Sequence, residues 1–124
     1  MDVRDARIER AIAAMEERLH TSVRIADLAA AAGLSVSRFG RLFRGETGAS
    51  PIAYLRHLRM TRARVLLERS SLSIAEIMTQ VVIGDPSHFA RDFRRAHGFG
   101  PRALRQQLRA GAQAGRYLSW DRSR

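Results

Sequence analysis

Two short stretches of this chain set out serine, arginine and a small residue in the same order. Ser37, Arg38, Gly40, Arg41 and Arg44 form one set, and Pro86, Ser87, Ala90, Arg91, Arg94 and Arg95 form the other. Guanidinium groups present forked N–H donors that match phosphate oxygens and the acceptor edge of guanine. The chemistry open to these sets is therefore recognition of a polyanion rather than bond making. Catalytic readings find little support. The chain has no cysteine, which removes thiolate nucleophiles, thiolate zinc sites and disulfides. His20, His57, His88 and His97 show no metal-ligand spacing and no neighbouring carboxylate pattern. Ser87 and His88 are adjacent and would leave a helix in different directions, so they do not make a nucleophile and its base. No phosphate-cradling glycine loop occurs. Neither enzymatic activity, a metal nor a cofactor is expected.

The elements that must position these sets belong to a chain of 124 residues, enough for one compact domain, with a hydrophobic fraction of 45%. All 22 basic residues are arginine and the net charge is +10. That balance favours a polyanionic partner, but an alanine-rich, lysine-free composition follows equally from a GC-rich coding sequence. No apolar run approaches the roughly 20 residues that cross a bilayer. The opening MDVRDARIER also lacks the apolar stretch of a secretory signal. A soluble, cytoplasmic protein without membrane contact is expected.

Helical periodicity starts with Ile8, Ile12, Met15 and Leu19. A short helix then runs from about Arg24 to Ala32 and stops at Gly33, which can take the left-handed conformation. Ser35 caps the next helix, with Phe39, Leu42 and Phe43 inward and an end near Gly48. Ser50 and Pro51 start a long helix that reaches about Arg69, on the order of 28 Å. Ser73 and Glu76 form a capping box ahead of Ile77 and Val81. Asp85 and Pro86 open a helix carrying Phe89 and Phe93, and Pro101 starts the last one, through Leu104 and Leu108. From Gly111 to Arg124 a tail is expected, either disordered or docked through Tyr117, Leu118 and Trp120, with disorder the preferred expectation.

The halves repeat. Ile25, Ala26, Asp27 and Leu28 align with Ile74, Ala75, Glu76 and Ile77. After one extra residue in the second turn, Ser37, Phe39, Arg41, Phe43, Arg44, Gly48 and Pro51 align with Ser87, Phe89, Arg91, Phe93, Arg94, Gly98 and Pro101. The phrases DLAAAAGLSVSRFGRLFR, GASPIAYLRHLRMTRARVLLERSSLSIAEI and HFARDFRRAHGFGPRALR closely resemble the DNA-binding domain of AraC/XylS transcription regulators. The fold expected is all-α: two helix-turn-helix subdomains joined by a long linker helix, about seven helices in all. Its divisions are an N-terminal amphipathic helix (1–22), a first helix-turn-helix unit (23–50), the linker (51–70), a second unit with its closing helix (71–110) and the tail (111–124).

The resemblance implies that the second short helix of each unit enters a major groove of double-stranded DNA. Consecutive grooves lie about 34 Å apart, within reach of the linker plus helix radii. One chain could then read both as a monomer, as a regulator more often activating in this family and contacting RNA polymerase, located in the cytoplasm and nucleoid. Ser37, Arg38, Gly40 and Arg41, and Pro86, Ser87, Ala90 and Arg91, fall on base-reading surfaces. Ser35, Arg44, Arg94 and Arg95 are placed for phosphates. A lone exposed arginine is ordinarily a solvated face, and the correspondence of Arg41 with Arg91 is what lifts those two above it. Arg56, Arg59, Arg62, Arg64 and Arg69 on the linker are expected to be part structural, part exposed.

Departures from the family pattern concentrate in the second unit, where Met78, Val82 and Ile83 replace a small residue, a glycine and an aromatic. Valine is poor in a left-handed turn, so the turn is expected either to re-form around Gly84 or to follow an extended helix, displacing the second reader. Arg24 replaces a capping Ser/Thr, with Thr21 or Ser22 as possible substitutes. The alternative function is a basic protein-interaction or non-specific DNA-binding module with a degenerate second unit. DNA-repair alkyl transfer, which some proteins with a similar helical domain perform, needs a cysteine acceptor and is set aside. The chain leaves no room for a separate sensing domain, which implies a small stand-alone regulator or a piece of a longer one.

Overall fold

Short polar side chains set where the helices begin. In the computed structural model, which describes the backbone of residues 4–122 and the side chains of 4–112, the Asp5 carboxylate accepts from the Arg7 amide and starts α1 (Ala6–Glu17). Ser35 starts α3 (Val36–Thr47) and Ser50 starts α4 (Pro51–Arg69) in the same way. Ser73 and Glu76 complete a reciprocal capping box at α5 (Ile74–Gln80). Asp85 accepts from the Ser87 and His88 amides at α6 (Pro86–His97). By contrast, α2 (Ile25–Ala31) starts without a side-chain cap. Arg24 holds the cap position, and the substitution expected of Thr21 or Ser22 does not occur, because the Thr21 hydroxyl donates to the Arg18 carbonyl instead. Gly48 and Gly98 close α3 and α6 in the left-handed conformation that glycine adopts without steric cost.

The described residues form seven α-helices and no strand. The last, α7, spans Pro101–Arg122. It therefore runs through the segment from Gly111 where a disordered tail was expected; one glycine inside a helix costs only about 1 kcal/mol against alanine, too little to end it. The side chains of Tyr117, Leu118 and Trp120 lie outside the described residues.

Apolar side chains collect into two cores. The first holds Ile8, Ile12 and Met15 of α1, Leu28 and Ala29 of α2, Phe39 and Phe43 of α3, and Leu55 of α4. The second holds Met60, Ala63 and Leu67 of α4, Ile77, Met78 and Val81, Phe89 and Phe93 of α6, and Leu104 of α7. The linker helix thus gives its first half to one core and its second half to the other. Each buried phenylalanine contributes roughly 1.5–3 kcal/mol by leaving water, and these large side chains decide which way α3 and α6 face.

Candidate nucleic-acid interface

On α3 the burial of Phe39 and Phe43 leaves the opposite face to solvent. Ser37, Arg38, Arg41 and Arg44 are exposed there, and Gly40 is half-buried. Ser37, Gly40, Arg41 and Arg44 fall at helical positions i, i+3, i+4 and i+7, a single stripe. Burial of Phe89 and Phe93 on α6 exposes Pro86, Ser87, Arg91, Arg94 and Arg95, with Ala90 half-buried. Ser87, Ala90, Arg91 and Arg94 form the same stripe. The structure therefore brings the residues singled out in the sequence into two like surfaces. Ser35 is exposed at the head of the first, where its hydroxyl oxygen already accepts from the Arg38 amide.

The turn before each stripe has one geometry. In the first unit Gly33 lies at φ +70°, its amide donates to Ala30 O and the Leu34 amide donates to Ala29 O. In the second, Val82 lies at φ 59°, its amide donates to Thr79 O and the Ile83 amide donates to Met78 O. Both expectations for this turn are corrected: it neither re-forms around Gly84 nor follows a longer helix, since α5 has seven residues like α2. Valine accepts the left-handed conformation because Val81 and Met78 are buried in the second core and Ile83 packs against it, fixing the chain on both sides. Such strain costs about 1–3 kcal/mol and persists only where its surroundings impose it.

Both stripes carry positive charge without local neutralisation. Among the described residues, the ion pairs use Arg4, Arg7, Arg56, Arg64 and His88, and none of the six arginines of α3 and α6. The linker arginines divide as the sequence suggested. Arg56 pairs with Asp92 and Arg64 with Glu68, while Arg59 donates to the Thr21 carbonyl. Partial burial pulls Arg59 below the ordinary arginine range, yet leaves it charged. Arg62 and Arg69 are exposed.

Two features escaped the sequence. His88 does have a carboxylate beside it, Asp92 one turn on, at 3.8 Å, and the i,i+4 spacing of the two is its signal in the sequence. Arg102, exposed on α7, joins Pro86, Ser87, Ala90 and Arg94 around a hollow of about 440 Å³ beside the second stripe. Its only sequence signal is its place directly after Pro101. Among the described residues there is no cluster that could hold a metal ion, and no helix long and apolar enough to cross a membrane.

Two capped helix pairs, each with a left-handed turn and an exposed arginine stripe on its second helix, define a tandem helix-turn-helix domain. A family model described as a helix-turn-helix domain matches residues 28–107. The chain is 33% identical over 102 residues to the transcriptional activator RhaS of Klebsiella pneumoniae, covering 82% of this chain and 37% of that protein. It is 35% identical over 97 residues to the MmsAB operon regulatory protein of Pseudomonas aeruginosa, covering 78% and 32%. Among solved structures, the DNA-binding domain of AdpA in complex with a target DNA superposes with a TM-score of 0.79 at 33% identity, over 86% of this chain and 96% of that one. An AraC-type regulator from Chromobacterium violaceum gives 0.76 at 30% identity, over 82% and 91%. The chain belongs to the AraC/XylS family of transcription regulators. It spans about a third of the length of the curated relatives it matches.

Proposed function

We propose that this chain binds double-stranded DNA sequence-specifically and regulates transcription, with α3 and α6 in adjacent major grooves. The observation that carries this reading is the duplicated stripe, two faces with serine, a small residue and unpaired arginines at equal spacing, held at the two ends of one helix. Arg41 and Arg91 make the bidentate contacts to guanine. Ser37, Arg38, Pro86 and Ser87 line the base edges, Gly40 leaves room for a base, and Ala90 meets a thymine methyl. Ser35, Arg44, Arg94 and Arg95 hold phosphates and set register without reading sequence. The relative crystallised with a target DNA supports the partner, and the relatives named as activators support the sign of regulation; contact with RNA polymerase is part of the same proposal. Two readers on one chain make a monomer sufficient. A cytoplasmic, nucleoid-associated location follows from the partner.

Selection from random duplex DNA, followed by affinities for the selected and a scrambled site across a salt series, tests the proposal. A motif of two half-sites about one helical turn apart is expected. Equal, salt-sensitive binding to both duplexes would replace it with non-specific binding.

A further inference from the structure

Asp92 is the one buried charged residue among the described residues, and it interrupts the repeat. The corresponding position in the first unit is Leu42, which packs against the first core. A buried carboxylate is costly unless it is paired. Asp92 Oδ2 lies 3.8 Å from Arg56 Nε on the linker helix and 3.8 Å from His88 Nε2 on its own helix. At that length, and with the Arg56 side chain 48% exposed, the pair adds little to overall stability.

Its surroundings give it another use. On one side of the pair the α4–α6 interface leaves a cleft of about 350 Å³ among Ile52, Leu55, Val82 and Ile83. On the other it leaves one of about 280 Å³ among Ala53, His57, Met60 and Arg95. Interdigitated packing normally fixes how one helix sits on another, and it is missing on both flanks. The far end of α6 is fastened differently: His97 Nε2 donates to the Met60 carbonyl at 2.9 Å, and the His97 ring meets Phe93 edge-on at 4.5 Å. Phe89 and Phe93 hold α6 in the second core, so what the two clefts leave loosely packed is the side of α6 that faces α4, ahead of which lie Pro86, Ser87, Ala90 and Arg91. The Asp92–Arg56 pair, about 7.5 Å along α6 from His97, is the ion pair that joins α6 to α4 between those clefts.

We propose that Asp92 and Arg56 are positioning residues that pin the N-terminal half of α6 to the linker helix and so set the half-site spacing the protein accepts. The inference rests on the DNA-reading proposal for its readout, but not for its geometry. In the first unit apolar contact does this work, through Leu42 and the edge-on Phe43–Tyr54 pair at 5.3 Å.

The test uses the whole chain with Asp92→Leu, which supplies the first unit's own residue and is expected to fold, Arg56→Gln, and the charge-conserving Arg56→Lys. Affinities are measured on duplexes with the selected half-sites at their selected spacing and with one base pair inserted or deleted. Residual dipolar couplings on DNA-free protein compare the orientation of α6 with that of α4. Asp92→Leu and Arg56→Gln should lose roughly two- to fivefold of the spacing discrimination, the range of a part-exposed ion pair. The couplings of α6 should no longer fit the alignment of α4, and Arg56→Lys should keep both properties. Unchanged spacing ratios and couplings, or an equal loss on every duplex, overturn the pin. Altered couplings in a protein whose wild type shows no spacing preference would uphold the pin and overturn the two-groove reading.

Discussion

The first turn has glycine where the chain goes left-handed, and the second has valine, yet the hydrogen bonds that close them run between the same pairs of positions. Upstream of the turn, Ala29 is buried in one core and Met78 in the other; downstream, Leu34 and Ile83 pack against those cores. The turn is thus imposed from both sides by burial, and the residue at its apex tolerates the result. Glycine makes the geometry free of strain, while valine shows that tertiary packing can produce it regardless. Helices α3 and α6 also differ in support: Leu42 meets a core, whereas Asp92 meets an arginine.

The strongest way to break the comparison is to empty one core at a time. Phe39→Ala and Phe89→Ala should each cost about 3–5 kcal/mol, and amide exchange should show protection lost first in the unit that carries the change. If both variants open the same amides equally, the cores are one cooperative unit and their separation has no energetic meaning.

Next in size is reading. Arg41→Ala should weaken binding to the selected site by about 1–3 kcal/mol, with less effect on scrambled DNA, and Arg91→Ala should do likewise at the other half-site. An equal loss on all duplexes would assign the residue to phosphate, and no loss for Arg91→Ala would leave only the first unit reading bases.

Exchanging the turn residues follows. Gly33→Val should destabilise by about 1–2 kcal/mol and Val82→Gly should stabilise by up to about 1 kcal/mol, strain relief being partly offset by the extra freedom of unfolded glycine. Denaturant midpoints report both; a Val82→Gly protein less stable than the parent would mean that the valine side chain contributes more than its backbone costs.

The smallest effect concerns caps. Hydrogen bonding from the Ser73 amide holds the Glu76 carboxyl below its ordinary value of 4.5. A carboxylate depressed in this way stabilises the fold above the ordinary value and loses that contribution as pH falls through the depressed one. The melting temperature of Glu76→Ala should therefore lie slightly below the parent at neutral pH and converge with it below about pH 4.5. A gap that stays constant through acid would show that the ionised cap is irrelevant.

Much of this architecture could be read before any coordinates. Ser35, Ser50, Ser73 and Asp85 cap helices where short polar residues should, and Pro51, Pro86 and Pro101 occupy first turns, because those preferences act within a few residues. Phe39, Phe43, Phe89 and Phe93 are buried as their spacing required, and that alone exposes the arginine stripes. Apart from the i,i+4 pair of His88 and Asp92, what escaped was either non-local or a local preference overruled. Arg56 meets Asp92 across the fold, a pairing no periodicity encodes. Val82 is held against its own tendency by buried neighbours, and Gly111 marks no end because α7 passes through it.

The shared linker helix also governs how the molecule can be dissected. A fragment ending at Ser50 loses Leu55, with Tyr54 and Leu58 packed around it, and leaves the first core open; one beginning at Ser70 loses Met60, Ala63 and Leu67 and leaves the second open. A cut on either side of α4 can yield one sealed half, never two. The two units are divisible in sequence and indivisible in substance, so a gene fragment intended to isolate either one must take the linker with it.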